Sequence, residues 1–407
     1  MASTLLILSL PPKTFVGLDM LSFNSSPNFL GITKVPSGLH FLYTGTDASL
    51  SIRHGRWLKL GATAETHVLS WNGDTESLDL VGQKDPSAQN ATTLAASNGR
   101  GLVDYAALQN ATSDLAAREA ETEDADDGKS RHSPDEGRAG STDWPAMTAH
   151  ITPSLLNRVL SSDWLVSSVS SAPDDTETVP GLSHLEVSNV LDQLPLNLLS
   201  INLKQTWAEG DVGRTRTDRA RDRSWYLTHL IENVTPEGKN RVFGAREILG
   251  ELQFCFLMVL TLANYSCLEQ WKRLLSVFFT CQTGLDEVEE YFVQMLKVLR
   301  LQVRHVEDVE GGLFDLRDEN ASSWLRSLWA RFRSVVDGAA EGERETLKKE
   351  VADLQKLFED KYGWQSERDL LRRGMLELED GERIEVTMPG VDEDEETGEY
   401  APVIVET

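Results

Sequence analysis

LQFCFLMVLTLANYSCL, residues 252–268, decides how the chain is read. It holds no charged residue, and Glu251 and Glu269 flank it. A helix that crosses a membrane needs about 20 apolar residues. This run is shorter, and Gln253, Thr261, Asn264 and Ser266 interrupt it. It reads as a helix buried in a protein core, apolar on every side because protein surrounds it. Downstream, apolar residues recur at helical spacing, as in Trp271, Leu274, Leu275, Phe278 and Phe279. Helices are predicted over 218–232, 244–263, 267–280, 285–303, 322–336 and 341–360. Their short connections imply an all-α bundle.

Upstream the pattern differs. Through residue 80, short apolar runs (Leu5–Leu10, Gly38–Tyr43, Trp57–Leu60, Thr66–Trp71) alternate with NSSPN, VPSG, TGTD and WNGD. That is the pattern of an antiparallel all-β domain. The opening MASTLLILSLPPK has no basic residue before its short apolar run, so it reads as a first strand and not a signal peptide. From 81 to 142 the composition turns to Ala, Ser, Thr, Asn, Asp and Gly. The stretch reads as a disordered insertion with a weak amphipathic patch at Gly101–Leu108. ITPSLLNRVL starts a helix, with Thr152 as N-cap and Pro153 in the first helical position. The expected division is 1–165 for the N-terminal domain, 166–195 for a linker, 196–375 for the helical domain and 376–407 for an acidic tail. Beyond Arg373 the chain reads as acidic and irregular until a terminal strand.

A chain of 407 residues exceeds one ordinary core. Its net charge of -26 repels phosphate over most of the surface and favours basic protein partners. Three cysteines, Cys255, Cys267 and Cys281, show no CxxC spacing and read as reduced, buried thiols of an intracellular protein.

Signatures of catalysis are missing from the sequence. GLSHL (181–185) lacks the second glycine of GxSxG, and there is no HExxH, P-loop or GxGxxG. Asp392, Asp394 and Glu396 imitate the first ligands of a calcium loop, but Thr397 and Val403 stand where the glycine and the bidentate glutamate belong. A hydrolase would need convergent His, Ser and Asp groups in a deep pocket. No enzyme activity, cofactor or metal is expected.

The basic stretch RTRTDRARDRSWY (214–226) offers an RNA-binding reading through Arg214–Arg223. Against it, Asp218 lies four residues from Arg214 and three from Arg221, and Asp222 three from Arg219, so a helix neutralises itself along one face. A helix surface or protein interface is the preferred reading. The chain finishes on VDEDEETGEYAPVIVET (391–407), an acidic run followed by a strand-prone segment. Such a strand either completes a sheet edge on another protein or pairs within its own chain.

Four segments, in order, resemble one family. GLDMLSF (17–23) with PNFLGITKVPSGLHFLYTG (27–45) is similar to the N-terminal signature of the Aar-two family, the a1-cistron splicing factors. GELQFCFLMVLTLANYSCLEQWKRLL (250–275) resembles the most distinctive segment of its C-terminal domain. ITPSLLNRVL (151–160) and LKKEVADLQKLFEDKYGW (347–364) followed by APVIVE (401–406) match in the expected order. The resemblance implies a β-sandwich-like N-terminal domain, a linker, an all-α domain and a flexible strand-forming tail. It implies a non-enzymatic pre-mRNA splicing factor that assists assembly of the U5 small nuclear ribonucleoprotein. The implied partner is pre-mRNA-processing factor eight, bound at its RNase H-like and JAB/MPN-like domains so that the helicase does not dock prematurely. Release is implied to depend on phosphorylation. The implied contact is β-augmentation by Ala401, Pro402, Val403, Ile404, Val405 and Glu406. A chain that is monomeric before binding, free of direct nucleic-acid or membrane contact, and found in cytoplasm and nucleus completes the expectation.

Overall fold

The computed structural model describes residues 2–46, 51–110, 143–160, 163–172, 194–306, 309, 315–340, 344–364, 371–377 and 383–389. The chain forms two compact units that are not contiguous in sequence. One comprises Met1–Leu198, Gln253–Leu268 and Asp308–Leu313; the other draws on Leu199–Leu252, Glu269–Glu307 and the residues from Phe314 onward.

The first unit is built on two five-stranded sheets. Its strands are β1 (Ser3–Leu8), β2 (Phe15–Leu18), β3 (Leu21–Asn24), β4 (Gly31–Val35), β5 (Gly38–Gly45), β6 (Arg53–Leu60), β7 (Thr66–Asn72), β8 (Ser77–Val81), β9 (Leu102–Asp104) and β10 (Leu165–Ser167). One sheet runs β8-β7-β1-β4-β9, the other β10-β6-β5-β2-β3. The second is antiparallel throughout, as expected. The first is mixed: β1 pairs parallel with β7 and β4 parallel with β9. Strand periodicity sets which face is buried, not which distant strand lies alongside, so the parallel pairs escaped the reading.

Between the sheets lie Leu5, Ile7, Val16, Leu18, Ile32, Leu42, Leu58 and Leu69, all at most 5% exposed. Alternation sends Phe41, Tyr43 and Trp57 to the opposite face of the second sheet. There Trp57 stacks on Trp144 with centroids 5.9 Å apart and meets Phe254 at 6.1 Å. Two glycines are required by close packing. A Cβ at Gly55 would sit 2.1 Å from the Phe41 ring. Gly31, at φ +149°, would bring one to 2.1 Å from the Leu5 carbonyl oxygen.

The insertion departs from expectation in its first part. Helix α1 (Pro86–Asn98) lies within it, followed by β9. Asp85 caps α1 by accepting from the Ser87 amide, Pro86 fills the first turn, and Gly99 ends it in the left-handed conformation. Ala88 is buried against Leu6 and Val68, and Tyr105 joins the core between the sheets. Small residues hid this packing from a composition argument. Residues 111–142 lie outside the described residues, as does 173–193 of the expected linker, together with GLSHL. Short helices α2 (Trp144–Met147) and α3 (Pro153–Val159) follow; Thr152 Oγ1 caps α3 by accepting from the Leu155 amide at 3.1 Å.

The second unit is helical: α4 (Gly213–Arg221), α5 (Ser224–Val234), α6 (Arg241–Leu262, which passes on into the first unit), α7 (Tyr265–Phe279), α8 (Gly284–Glu287), α9 (Glu289–Arg304), α10 (Glu319–Asp337) and α11 (Glu345–Tyr362). Phe278, Phe279, Phe292, Trp329, Phe332 and Phe358 form a continuous aromatic core with centroid spacings from 5.1 to 6.4 Å. Two buried indoles are hydrogen-bonded: Trp271 Nε1 donates to Gln302, and Trp329 Nε1 to Gln355. The tail differs from its reading. Strand β11 (Leu371–Glu377) pairs antiparallel with β12 (Arg383–Pro389), from Leu371 opposite Pro389 to Glu377 opposite Arg383. Charges scattered through LRRGMLE and RIEVTMP masked the strand propensity, although Asp380-Gly381 between them is a hairpin dipeptide.

Candidate partner-binding site

The stretch that decided the fold positions a buried polar network in the first unit. α6 is 22 residues long and its last half is buried on all sides. Three of the four interruptions of the apolar run, Gln253, Thr261 and Asn264, are hydrogen-bonded within the chain. Gln253 accepts from the His150 amide at 2.8 Å and donates to the Ala146 carbonyl at 2.8 Å. Thr261 Oγ1 bonds the Leu257 carbonyl. Asn264 Nδ2 donates to the carbonyls of Ser167 and Ser170, while its Oδ1 accepts from the Cys267 amide and so caps α7. The open carbonyls at the C-terminus of α6 are taken by Arg53, at Thr261, and by Ser168, at Leu262. This network is architecture: it leaves no polar atom aimed at a ligand.

A second buried group has the composition of a proton relay. Asp19 Oδ2 accepts from Tyr105 at 2.6 Å and lies 2.8 Å from His40 Nδ1, while Asp19 Oδ1 accepts from the Phe41 amide. His40 Nε2 meets the Pro36 carbonyl at 2.9 Å. Both ring nitrogens therefore face acceptors, which suits the doubly protonated ring. Burial pulls the His40 pKa down, but the Asp19 hydrogen bond and charge, with the Pro36 carbonyl, raise it above its usual value. Burial, then the Asp19 charge, push the Tyr105 phenol up. An imidazolium with both nitrogens engaged is no general base, so the cluster locks the β2–β3 and β4–β5 turns together. Pro36, in the VPSG stretch between β4 and β5, thus has its carbonyl engaged by His40.

Among the described residues, no group of three His, Cys, Asp or Glu side chains is placed to hold a metal ion. No helix among them is long and apolar enough to cross a membrane. Cys255, Cys267 and Cys281 are buried and form no disulfide with one another. Burial pushes the Cys281 thiol well up, which makes it inert.

The basic stretch is where sequence reasoning partly misplaced its elements. One helix was expected over 218–232; the structure divides it into α4 and α5 at Asp222. Asp222 accepts from the amide and hydroxyl of Ser224, the amide of Gln282, and the amide and hydroxyl of Thr283. Burial alone would raise its pKa, but these bonds hold it below the usual carboxylate value. The pairing expected between Arg219 and Asp222 is replaced by one between Arg219 and Asp211. Arg214 does pair with Asp218, at 3.7 Å in the open. Arg216 lies over the Trp207 ring at 4.3 Å and Arg219 over Trp225 at 4.4 Å, with His229 stacked on Trp225. Two of the arginines offered for RNA are thus committed to indole rings of the same chain.

The residues expected to bind a partner, Ala401–Glu406, lie outside the described residues. What precedes them is the β11–β12 hairpin, a two-stranded sheet with no further strand on either side among the described residues. An open strand edge presents unpaired amides and carbonyls, the chemistry of strand addition.

The comparisons with known proteins cover both units. Residues 1–161 match the AAR2 N-terminal domain, and residues 198–367 the AAR2 C-terminal repeat region. The chain belongs to the AAR2 family. It is thereby a splicing-related factor, and the four colinear motifs marked it as such. A relative from Caenorhabditis elegans, named Protein AAR2 homolog, is 23% identical over 378 residues, 88% of this chain and 93% of its own length. Relatives of the same name from Homo sapiens and Mus musculus are 22% and 23% identical, with 89% of each chain covered.

Proposed function

We propose that this AAR2-family protein is a non-enzymatic assembly factor of the U5 small nuclear ribonucleoprotein. It binds the scaffold pre-mRNA-processing factor eight at its RNase H-like and JAB/MPN-like domains and keeps the helicase from docking early. The observation that carries the reading is the family match in both halves of the chain, over 1–161 and 198–367. Supporting it, the buried Asp19–His40–Tyr105 cluster has both ring nitrogens of His40 engaged, and the tail carries open-edged strand pairing. Ala401–Glu406 supply the strand that joins the scaffold, and the protein works in cytoplasm and nucleus. The RNA-binding alternative through Arg214–Arg223 is disfavoured by the two indole-stacked arginines.

The test is binding of the full chain, and of a chain ending after Gly390, to the two scaffold domains supplied separately and together. The expected outcome is a ternary complex with the full chain that the shortened chain fails to form. Absence of binding by either form to either domain would overturn the proposal.

A further inference from the structure

Helix α4 stands apart from every other helix of the second unit in one respect: none of its residues is buried. Hydrophobic packing therefore does not hold it. Its inner side is fixed by guanidinium groups, Arg216 on Trp207 and Arg219 on Trp225 and Asp211. Those contacts use up two arginines as anchors. The outer side carries Arg214, Thr217, Asp218 and Arg221, at spacings of three, four and seven residues that place them on one face. All four are exposed, and Asp218 pairs with Arg214 in the open. On a chain of net charge -26, an exposed cationic helix face attracts anionic ligands, while the rest of the surface repels nucleic acid.

We propose that this face docks the chain's own acidic run, Asp392–Glu396. Five consecutive carboxylates complement the paired arginines, and the run is tethered to the same unit. Tethering supplies an effective concentration of about 1 mM, so a contact of millimolar strength is about half occupied. The docked run holds the following segment, Ala401–Glu406, back from other sheets until a partner competes for it. This last consequence rests on the partner reading above; the docking itself does not. It makes the tail's exposure dependent on salt and on charge at α4.

The experiment is limited digestion of the full-length chain with a glutamate-specific endoprotease, without any partner. Cleavage after Glu393, Glu395 and Glu396 is scored by mass spectrometry against cleavage at exposed Glu237 as the internal control. Charge reversal by R214E/R221E is expected to raise relative tail cleavage about twofold, the release from half occupancy. Asp218→Asn, which removes the intervening carboxylate, is expected to lower it. About 0.5 M salt should erase the differences, since the Debye length there falls well below that at physiological ionic strength. Neither substitution touches a buried residue, and circular dichroism checks that the fold persists. Equal cleavage of wild type and both variants at low salt overturns the proposal. So does loss of oligoribonucleotide retention in R214E/R221E with cleavage unchanged, which assigns the face to nucleic acid. Either result is independent of whether the scaffold domains bind.

Discussion

Helices α4 and α6 answer the same physical problem in opposite ways. α6 is apolar on all sides of its second half, and burial holds it: Leu252, Phe254, Cys255, Leu257 and Met258 are all without exposed surface. α4 buries nothing and is pinned at two points by arginine on tryptophan. One is integral to a core; the other is an accessory that a core tolerates. The contrast teaches that helical sequence pattern alone does not rank an element's contribution to stability. What matters is the surface a helix removes from water, and here that ranges from nearly all to almost none.

The ranking can be broken by substitution. Phe254→Ala should destabilise the first unit most, by about 3–5 kcal/mol, because it empties the space beside Trp57; chemical denaturation followed by tryptophan fluorescence reads it. Asn264→Ala should cost about 2–3 kcal/mol by orphaning the carbonyls of Ser167 and Ser170 and the Cys267 amide. A midpoint unchanged by either substitution would remove α6 from the core argument. Asp222 sits at the break between α4 and α5. Its carboxylate is held below the usual value in the folded chain, so its contribution is present above pH about 3.8 and fades as pH falls through the lower folded value. Asp222→Asn should cost about 1–2 kcal/mol at neutral pH and flatten the acid side of the stability profile. Least of all, Arg216→Ala should cost about 0.5–1 kcal/mol, felt as faster amide exchange in α4 with the global midpoint nearly fixed. A loss as large as that of Phe254→Ala would mean that α4 is structural after all.

The same contrast explains what the sequence disclosed. α6 was legible because seventeen uncharged residues with four polar interruptions admit few other readings, and α3 because Thr152 and Pro153 announce its start. The break at Asp222 was not legible: its partners Gln282 and Thr283 lie about sixty residues away, and nothing local distinguishes it from another surface aspartate. α1 was missed because Ala, Ser and Thr dominate it, so its Asp85 cap and Gly99 stop carried the signal that hydrophobicity withheld. The parallel pairs of β1 with β7 and β4 with β9 are long-range facts that no periodicity encodes. Of the candidate site, the acidic run and terminal strand-prone segment were visible as composition. The hairpin ahead of them was obscured by the charges within both of its strands.

The placement of residues 253–268 in the first unit has a consequence for biogenesis. Strand β10 is finished at Ser167, yet Trp57 acquires Phe254 only when the chain has grown about a hundred residues further. At ordinary ribosomal speeds that interval is about 5–20 s. Throughout it, the nascent sheets carry an uncovered aromatic face. A fragment cut at the end of β10 keeps that face permanently bare. Expression trials that stop short of residue 268 should therefore yield aggregates where the longer chain stays in solution.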